Sequence, residues 1–226
     1  VLAHVAKDGN MQNAFQKGID LHTYTARLLF NKENISKQER QIAKTVSFLI
    51  VYGGGAFNLA ETMAIPLKRA ENIIASYKRV YPAVFSFMEF INDFIRTNGY
   101  AYTIFGRRRN LPDVYSNDKQ VRSRSLRQGL NFTIQSAASD ILLGSLVGLH
   151  KRMKDLGMKS RIVATVHDSI ELIAPDEEVK DLCKLIHDEL VNYPYIKEQF
   201  NLHLDVPLAI EILVGKSFGD GEEVFV

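Results

Sequence analysis

Over residues 1 to about 99, apolar positions recur every three or four residues, the spacing of amphipathic helices. Three stretches carry it: "MQNAFQKGIDLHTYTARLLF", "SKQERQIAKTVSFLIVYG" and "PLKRAENIIASYKRVYPAVFSFMEFINDFIRTNG". Ser36, with Glu39 three residues on, has the form of a capping box, Pro66 and Pro82 fall at first-turn or breaker positions, and Gly99 suits a helix end. The period then changes to two. "YAYTIFGRRRNLP" alternates and turns at Gly106, which predicts a short hairpin. A long helix is expected from about Lys119 to Met153, then a strand "RIVATV", a turn at His167-Asp168 and a return strand "SIELIAP". A helix "EEVKDLCKLIHDELV" and a last strand "VPLAIEILVG" complete the chain. This order predicts an α+β fold, helices first and then a small, mostly antiparallel sheet backed by helices, without internal repeats or low-complexity linkers.

Two polar features interrupt the apolar pattern. In "RQIAKTVSFLIVYGGG", Arg40, Lys44, Phe48 and Tyr52 recur every fourth residue and share one arc of the helix, while Ile42, Val46, Leu49 and Ile50 take the opposite arc. The second face satisfies the core, which frees the first for a ligand: two cations, an aromatic ring and a phenol suit a nucleoside triphosphate lying along the helix. The same period also describes a helix buried on both sides whose cations snorkel at one end. Gly53, Gly54 and Gly55 would end the helix and permit close backbone approach. The second feature is "TVHDSIEL", which sets His167 and Asp168 in a run that otherwise reads as buried strand, with the flanking valines and isoleucines in the core. A carboxylate there needs water, a metal ion or a hydrogen-bond partner, and a plain turn-capping Asp answers that need as well.

Composition adds bounds. The 226 residues are 46% hydrophobic and 24% charged, an ordinary globular balance. The single Cys183 excludes an internal disulfide and points to a reducing compartment. No uninterrupted apolar run approaches the roughly 18 residues of a membrane span. The start, "VLAHVAKDGN", lacks an initiator Met and any signal-peptide pattern, as expected of a chain cut from something longer. Net charge is only +2, yet residues 101–130 carry Arg107, Arg108, Arg109, Lys119, Arg122, Arg124 and Arg127 against Asp113 and Asp118. Such a local field suits a polyanion, and also a solvated loop and helix face. On the long helix, Arg127, Asn131 and Gln135 again recur every fourth residue, opposite Leu130, Ala137 and Ile141. Asn and Gln can donate to the minor-groove acceptors that every base pair presents, and an amphipathic helix with a polar outer face has the same pattern.

The stretch "ERQIAKTVSFLIVYGGGAFNLAE" closely resembles the fingers helix of family A DNA polymerases, the bacterial DNA polymerase I family. That family's pattern is Arg, three residues, Lys, three residues, Phe or Tyr, three residues, Tyr-Gly. The resemblance continues in the opening thirty residues, in "YAYTIFGRRRNLPD", "RQGLNFTIQSAASDIL", "RIVATVHDSIEL" and "VPLAIEILVGKSFGD". It implies part of the right-hand polymerase fold: residues 1–18 leading from palm to fingers, 19–117 as fingers and 118–226 as the C-terminal part of the palm. By the same resemblance His22, Arg40, Lys44, Phe48 and Tyr52 would bind the dNTP, with Lys44 also a proton donor to departing pyrophosphate. Arg107, Arg108, Arg122, Arg127, Asn131, Gln135 and His167 would hold DNA, and Asp168 would be catalytic as a ligand to Mg²⁺, of which two ions are implied.

Primer-template DNA, dNTPs and further polymerase segments (a thumb, the first palm motif, an exonuclease domain) are the implied partners, with no membrane. The implied location is intracellular, at a nucleoid or in an organelle, in a bacterial, phage, plastid or mitochondrial setting. Two departures stand out. Ser169 replaces the family's usual Glu, with Glu171 two residues on, and the family's other essential aspartate is expected just ahead of Val1. A catalytically incomplete primer-template and dNTP-binding module is therefore the alternative expectation.

Overall fold

The computed structural model describes residues 1–225. By internal compactness the chain divides into two units, Val1–Ala137 and Ala138–Val226. The division falls inside the long helix, about one helical half later than the 117/118 boundary expected between fingers and palm.

The first unit is helical: α1 (Leu2–Ala6), α2 (Gly9–Gln16), α3 (Leu21–Phe30), α4 (Lys37–Val51), α5 (Ala56–Met63), α6 (Leu67–Val80) and α7 (Pro82–Asn98) precede the hairpin of β1 (Tyr100–Tyr102) and β2 (Arg108–Asn110). A 3₁₀ turn, Pro112–Tyr115, leads into α8 (Lys119–Asp155). The expected helix over 11–30 is two helices. Gly18 turns the chain at φ 62°, and the Asp20 carboxylate accepts from the Thr23 amide at 2.8 Å to start α3. The capping box forms: the Ser36 hydroxyl accepts from the Glu39 amide and the Glu39 carboxylate from the Ser36 amide. A cap of this kind contributes about 1 kcal/mol. Lys32 at 2.6 Å and the Ser36 groups hold the Glu39 carboxyl down at about 2. Pro66 caps α6, Pro82 opens α7, and Gly99 ends α7 at φ 72°. The hairpin pairs Tyr100 with Asn110 and Tyr102 with Arg108.

Helix α4 buries Ala43, Val46 and Ile50 beside Ala26 of α3 and Tyr77 of α6 in one fully buried set. Each of the larger aliphatic side chains contributes about 1.5–3 kcal/mol. The Asp8 carboxylate, buried, caps α2 through the Met11 amide and also accepts from the Ala83 amide at the start of α7, tying the opening residues to the helices. Burial pushes the Tyr77 phenol up to about 12, and Tyr81, paired with Thr25 at 2.7 Å, is raised for the same reason. A second cluster joins Ile91, Ile95, Ala101, Leu111, Val114 and Leu130.

In the second unit, the rest of α8 is followed by β3 (Arg161–Val166), β4 (Ser169–Ile173), α9 (Val179–His187), α10 (Pro194–Phe200), β5 (Leu213–Val214) and β6 (Glu222–Glu223). Its core is Leu149, Met153, Leu182 and Leu185, with Ile162 and Leu172 of the hairpin packed against them. The helix expected to run to Val191 changes at Asp188 into a single π turn, Asp188–Asn192. There Glu189 is fully buried, paired with Arg152 at 3.2 Å, in a niche that exists because a Cβ at Gly148 would lie 2.0 Å from its oxygen.

Two expectations fail. The expected buried strand is largely exposed: among the described residues β3 pairs only with β4, and Val163, Val166 and Ile173 are 54%, 46% and 66% accessible. The apolar run read as core because composition cannot tell a covered strand from a strand at an edge. The last strand, expected over 206–215, pairs only at Leu213–Val214. Residues 202–214 still alternate, with Leu204, Val206, Leu208 and Ile210 on the more buried side, but 206–212 has no ladder partner among the described residues. The sheet is accordingly three separate two-stranded antiparallel ladders. By length and composition alone, α8 would also suffice to cross a bilayer, with a window of mean hydropathy 1.3. Its buried Leu130, Ala137, Ile141, Leu149 and Met153 give it the character of a core helix.

Candidate functional site

In the first unit α4 presents Arg40, Lys44, Phe48 and Tyr52 outward, with Phe48 and Tyr52 46% and 47% exposed. Aromatic rings that stay half open while Val46 and Ile50 of the same helix are buried form a face made for contact. His22 of α3 joins this face, its ring 5.6 Å from that of Phe48, and the Lys44 ammonium lies 5.9 Å from the same ring. Burial pushes the His22 imidazole below its usual value; Arg40 and Lys44 add to this and Asp20 opposes it. His22 Nδ1 is buried without a hydrogen-bond partner. Arg40 is anchored: its Nε donates to Asp20 Oδ2 at 2.8 Å and its Nη2 to Asp20 Oδ1 at 3.0 Å. That pair holds the Asp20 carboxyl far below the usual carboxylate range. The sequence reading missed Asp20, although an acid two residues ahead of His22 at a helix start was a signal for it.

Past Tyr52 the chain turns at Gly53, φ 73°, where a Cβ would lie 2.6 Å from Arg127 Cγ. The missing side chain lets Arg127 of α8 lie against the end of α4. A cavity of about 560 Å³ opens there, lined by Phe48, Tyr52, Gly53, Asn58 and Arg127 among others. On α8 Arg127 and Gln135 are exposed and Asn131 half-buried, while Leu130 points into the core. Gln135 Nε2 donates to the Tyr52 hydroxyl at 2.8 Å, and Asn131 Oδ1 is buried and unpartnered. The structure thus brings two sequence-predicted stripes, one on α4 and one on α8, to a common surface.

The arginine-rich stretch splits in behaviour. Arg107, Arg108 and Arg109 are exposed; Arg108 stacks 3.7 Å above the Tyr100 ring and donates to Asn110, and Arg109 lies 5.9 Å from Phe132. Arg122 is instead committed to the fold, donating from Nη1 to the carbonyls of Ser116 at 2.7 Å and Asn117 at 2.9 Å.

In the second unit His167 and Asp168 form the two-residue turn between β3 and β4, both exposed, with His167 at φ 56°. Positive φ at a residue other than glycine costs of order 1 kcal/mol and persists where the surroundings or the function hold it. The Ser169 hydroxyl donates to the Glu171 carboxylate at 2.7 Å, so these two share one side of β4 as strand alternation expects. Asp168, Ser169 and Glu171 edge a cavity of about 600 Å³ with Leu172 and Ile212. Among the described residues no three or more His, Cys, Asp or Glu gather where they could hold a metal ion.

The model of DNA polymerase family A matches residues 1–220. DNA polymerase I of Bacillus caldotenax is 36% identical over 224 residues, 98% of this chain and 25% of the relative. The thermostable DNA polymerase I of Thermus aquaticus is 33% identical over 226 residues, 99% of this chain and 26% of that protein. The chain thus spans about a quarter of the length of these relatives. Among solved structures, the POL domain of Pol1 from M. smegmatis in complex with DNA primer-template and dNTP is similar with a TM-score of 0.85 and 30% identity, over 92% of this chain and 36% of that one. The chain belongs to DNA polymerase family A.

Proposed function

We propose that this chain is the fingers and C-terminal palm portion of a DNA-directed DNA polymerase, handling the incoming dNTP and the primer terminus. In the reaction the primer 3′-hydroxyl attacks the α-phosphate and pyrophosphate leaves. The observation that carries this reading is the outward face of α4, where Arg40 and Lys44 precede the half-open rings of Phe48 and Tyr52, with His22 alongside. Arg40, Lys44 and His22 bind phosphate oxygens, Phe48 and Tyr52 contact the base and sugar, and Lys44 gives a proton to the leaving pyrophosphate. Arg127, Asn131 and Gln135 meet the primer-template; the unpartnered Asn131 oxygen accepts from a base-edge donor, and Gln135 donates to a groove acceptor. Arg107, Arg108 and His167 contact the DNA backbone, and Arg122 supports them from within the fold. This reading requires access to DNA, in a nucleoid or an organelle.

Asp168 offers one hard oxygen ligand of the kind Mg²⁺ takes. Two ions need several such ligands, and the described residues hold no acidic group of three, so they fit as part of a site and do not form one. The same observation favours a second reading, a module that binds primer-template and dNTP without catalysis. Primer extension with labelled dNTP separates the two. Extension by the longest native chain containing these residues, lost on Arg40→Ala at limiting dNTP, supports the polymerase; binding without extension by that chain supports the module.

A further inference from the structure

Arg40 is the outermost cation of the α4 face, and a long side chain so placed would ordinarily sample many rotamers. Here its guanidinium is gripped side-on, Nε and Nη2 each donating to one oxygen of Asp20. Asp20 is itself fixed, because its Oδ2 also accepts from the Thr23 amide at 2.8 Å and the Thr23 hydroxyl at 2.7 Å at the start of α3. A guanidinium has five N–H donors; with two committed, three remain, and two of these form the Nη1/Nη2 edge turned from the carboxylate.

Resting on the reading of this face as the triphosphate site, we propose that Asp20 is a positioning residue: through Arg40 alone, it aims the free guanidinium edge at the nucleotide's phosphates. The carboxylate does not touch the nucleotide. It converts a mobile charge into a directional donor and lowers the ordering that nucleotide binding would otherwise require. It also offsets part of the Arg40 charge, so that free phosphate and pyrophosphate are held less tightly than a ligand presenting acceptors along that edge. The Arg40 guanidinium holds the Asp20 carboxyl well below the usual carboxylate range, in accord with a carboxylate ionised throughout the working pH range.

The test separates capping from aiming. Asn caps a helix as well as Asp, but it has one acceptor oxygen in place of two and no charge, so it cannot grip the guanidinium side-on with one oxygen to each N–H. In the longest native polymerase chain that contains these residues, Asp20→Asn is expected to raise the KM for dNTP about tenfold, with kcat within about twofold and the melting temperature unchanged. Asp20→Ala should raise KM equally and also lower the melting temperature. In an Arg40→Ala background, Asp20→Asn should change nothing further. An unchanged KM in Asp20→Asn overturns the proposal, as does an additional loss in the Arg40→Ala background, since Asp20 would then act on another group. If Arg40→Ala itself leaves KM unchanged, the triphosphate reading of the face fails and the proposal falls with it. If Arg40→Ala raises KM and Asp20→Asn does not, the proposal alone fails.

Discussion

The outward face of α4 and the β3–β4 turn are both polar interruptions of apolar sequence, and the fold treats them in opposite ways. On α4 the side chains arrive with partners: Arg40 on Asp20, Lys44 and His22 beside Phe48, and Tyr52 on Gln135. At the turn, Asp168 stands exposed beside His167, whose φ is positive, and no metal-holding group surrounds it among the described residues. The difference teaches that the side chains of the proposed nucleotide face are already organised within this chain, whereas one exposed carboxylate does chemistry only in company. Substitutions on α4 should therefore grade the reaction, and substitution at the turn should stop it.

The largest expected effect is at the turn. Asp168→Ala in the complete enzyme should lower primer extension about a thousandfold or more, while primer-template binding by fluorescence anisotropy stays within about twofold. Loss of binding instead would make Asp168 a structural residue and remove the contrast. Next comes Arg40→Ala, expected to raise the KM for dNTP by about 10- to 100-fold, the loss of one charge-assisted hydrogen-bonding group. Phe48→Tyr adds a hydroxyl to the half-open ring proposed to face the sugar. Competition between dideoxy- and deoxynucleotides should shift toward the dideoxynucleotide by at least about fivefold; an unchanged incorporation ratio would refute the placement of Phe48.

The smallest effect is on stability. Tyr77 is raised to about 12 by burial, so its contribution is fully present below the ordinary tyrosine value near 10 and is lost as pH rises through about 12. Denaturant melts at pH about 11 should show the first unit weakened by at least about 1 kcal/mol relative to pH about 8, and Tyr77→Phe should lessen that loss, the remainder coming from Tyr81, which burial raises as well.

Much of this was legible in the sequence where the cause is local. The capping box at Ser36, the end of α7 at Gly99, the Gly106 hairpin and the four-residue stripes of α4 and α8 depend on residues a few positions apart, and each formed as read. What the pattern could not give was pairing over distance. Asp20 and Arg40 are separated by 20 positions, Gln135 and Tyr52 by 83, and no periodicity links them. Arg122 read as one more cation of a basic stretch because composition cannot distinguish a guanidinium facing solvent from one spent on loop carbonyls. Glu189 was invisible for a similar reason: its burial depends on a glycine 41 positions away, Gly148, and on a π turn that a helical period passes over. Strand signals misled twice, at β3 and at 206–212, since alternation specifies which side chains share a face and says nothing about whether a neighbouring strand exists.

The unpaired margin of β3 also bears on how the chain behaves in the test tube. A hairpin edge carrying Val163 and Val166 in the open, with the extended segment 206–211 outside any ladder among the described residues, is a template for strand addition. Purified by itself, the chain will self-associate through these edges as its concentration rises, and light scattering will register that before any assay does. Val163→Lys places a charge on the open edge and should keep the material monodisperse.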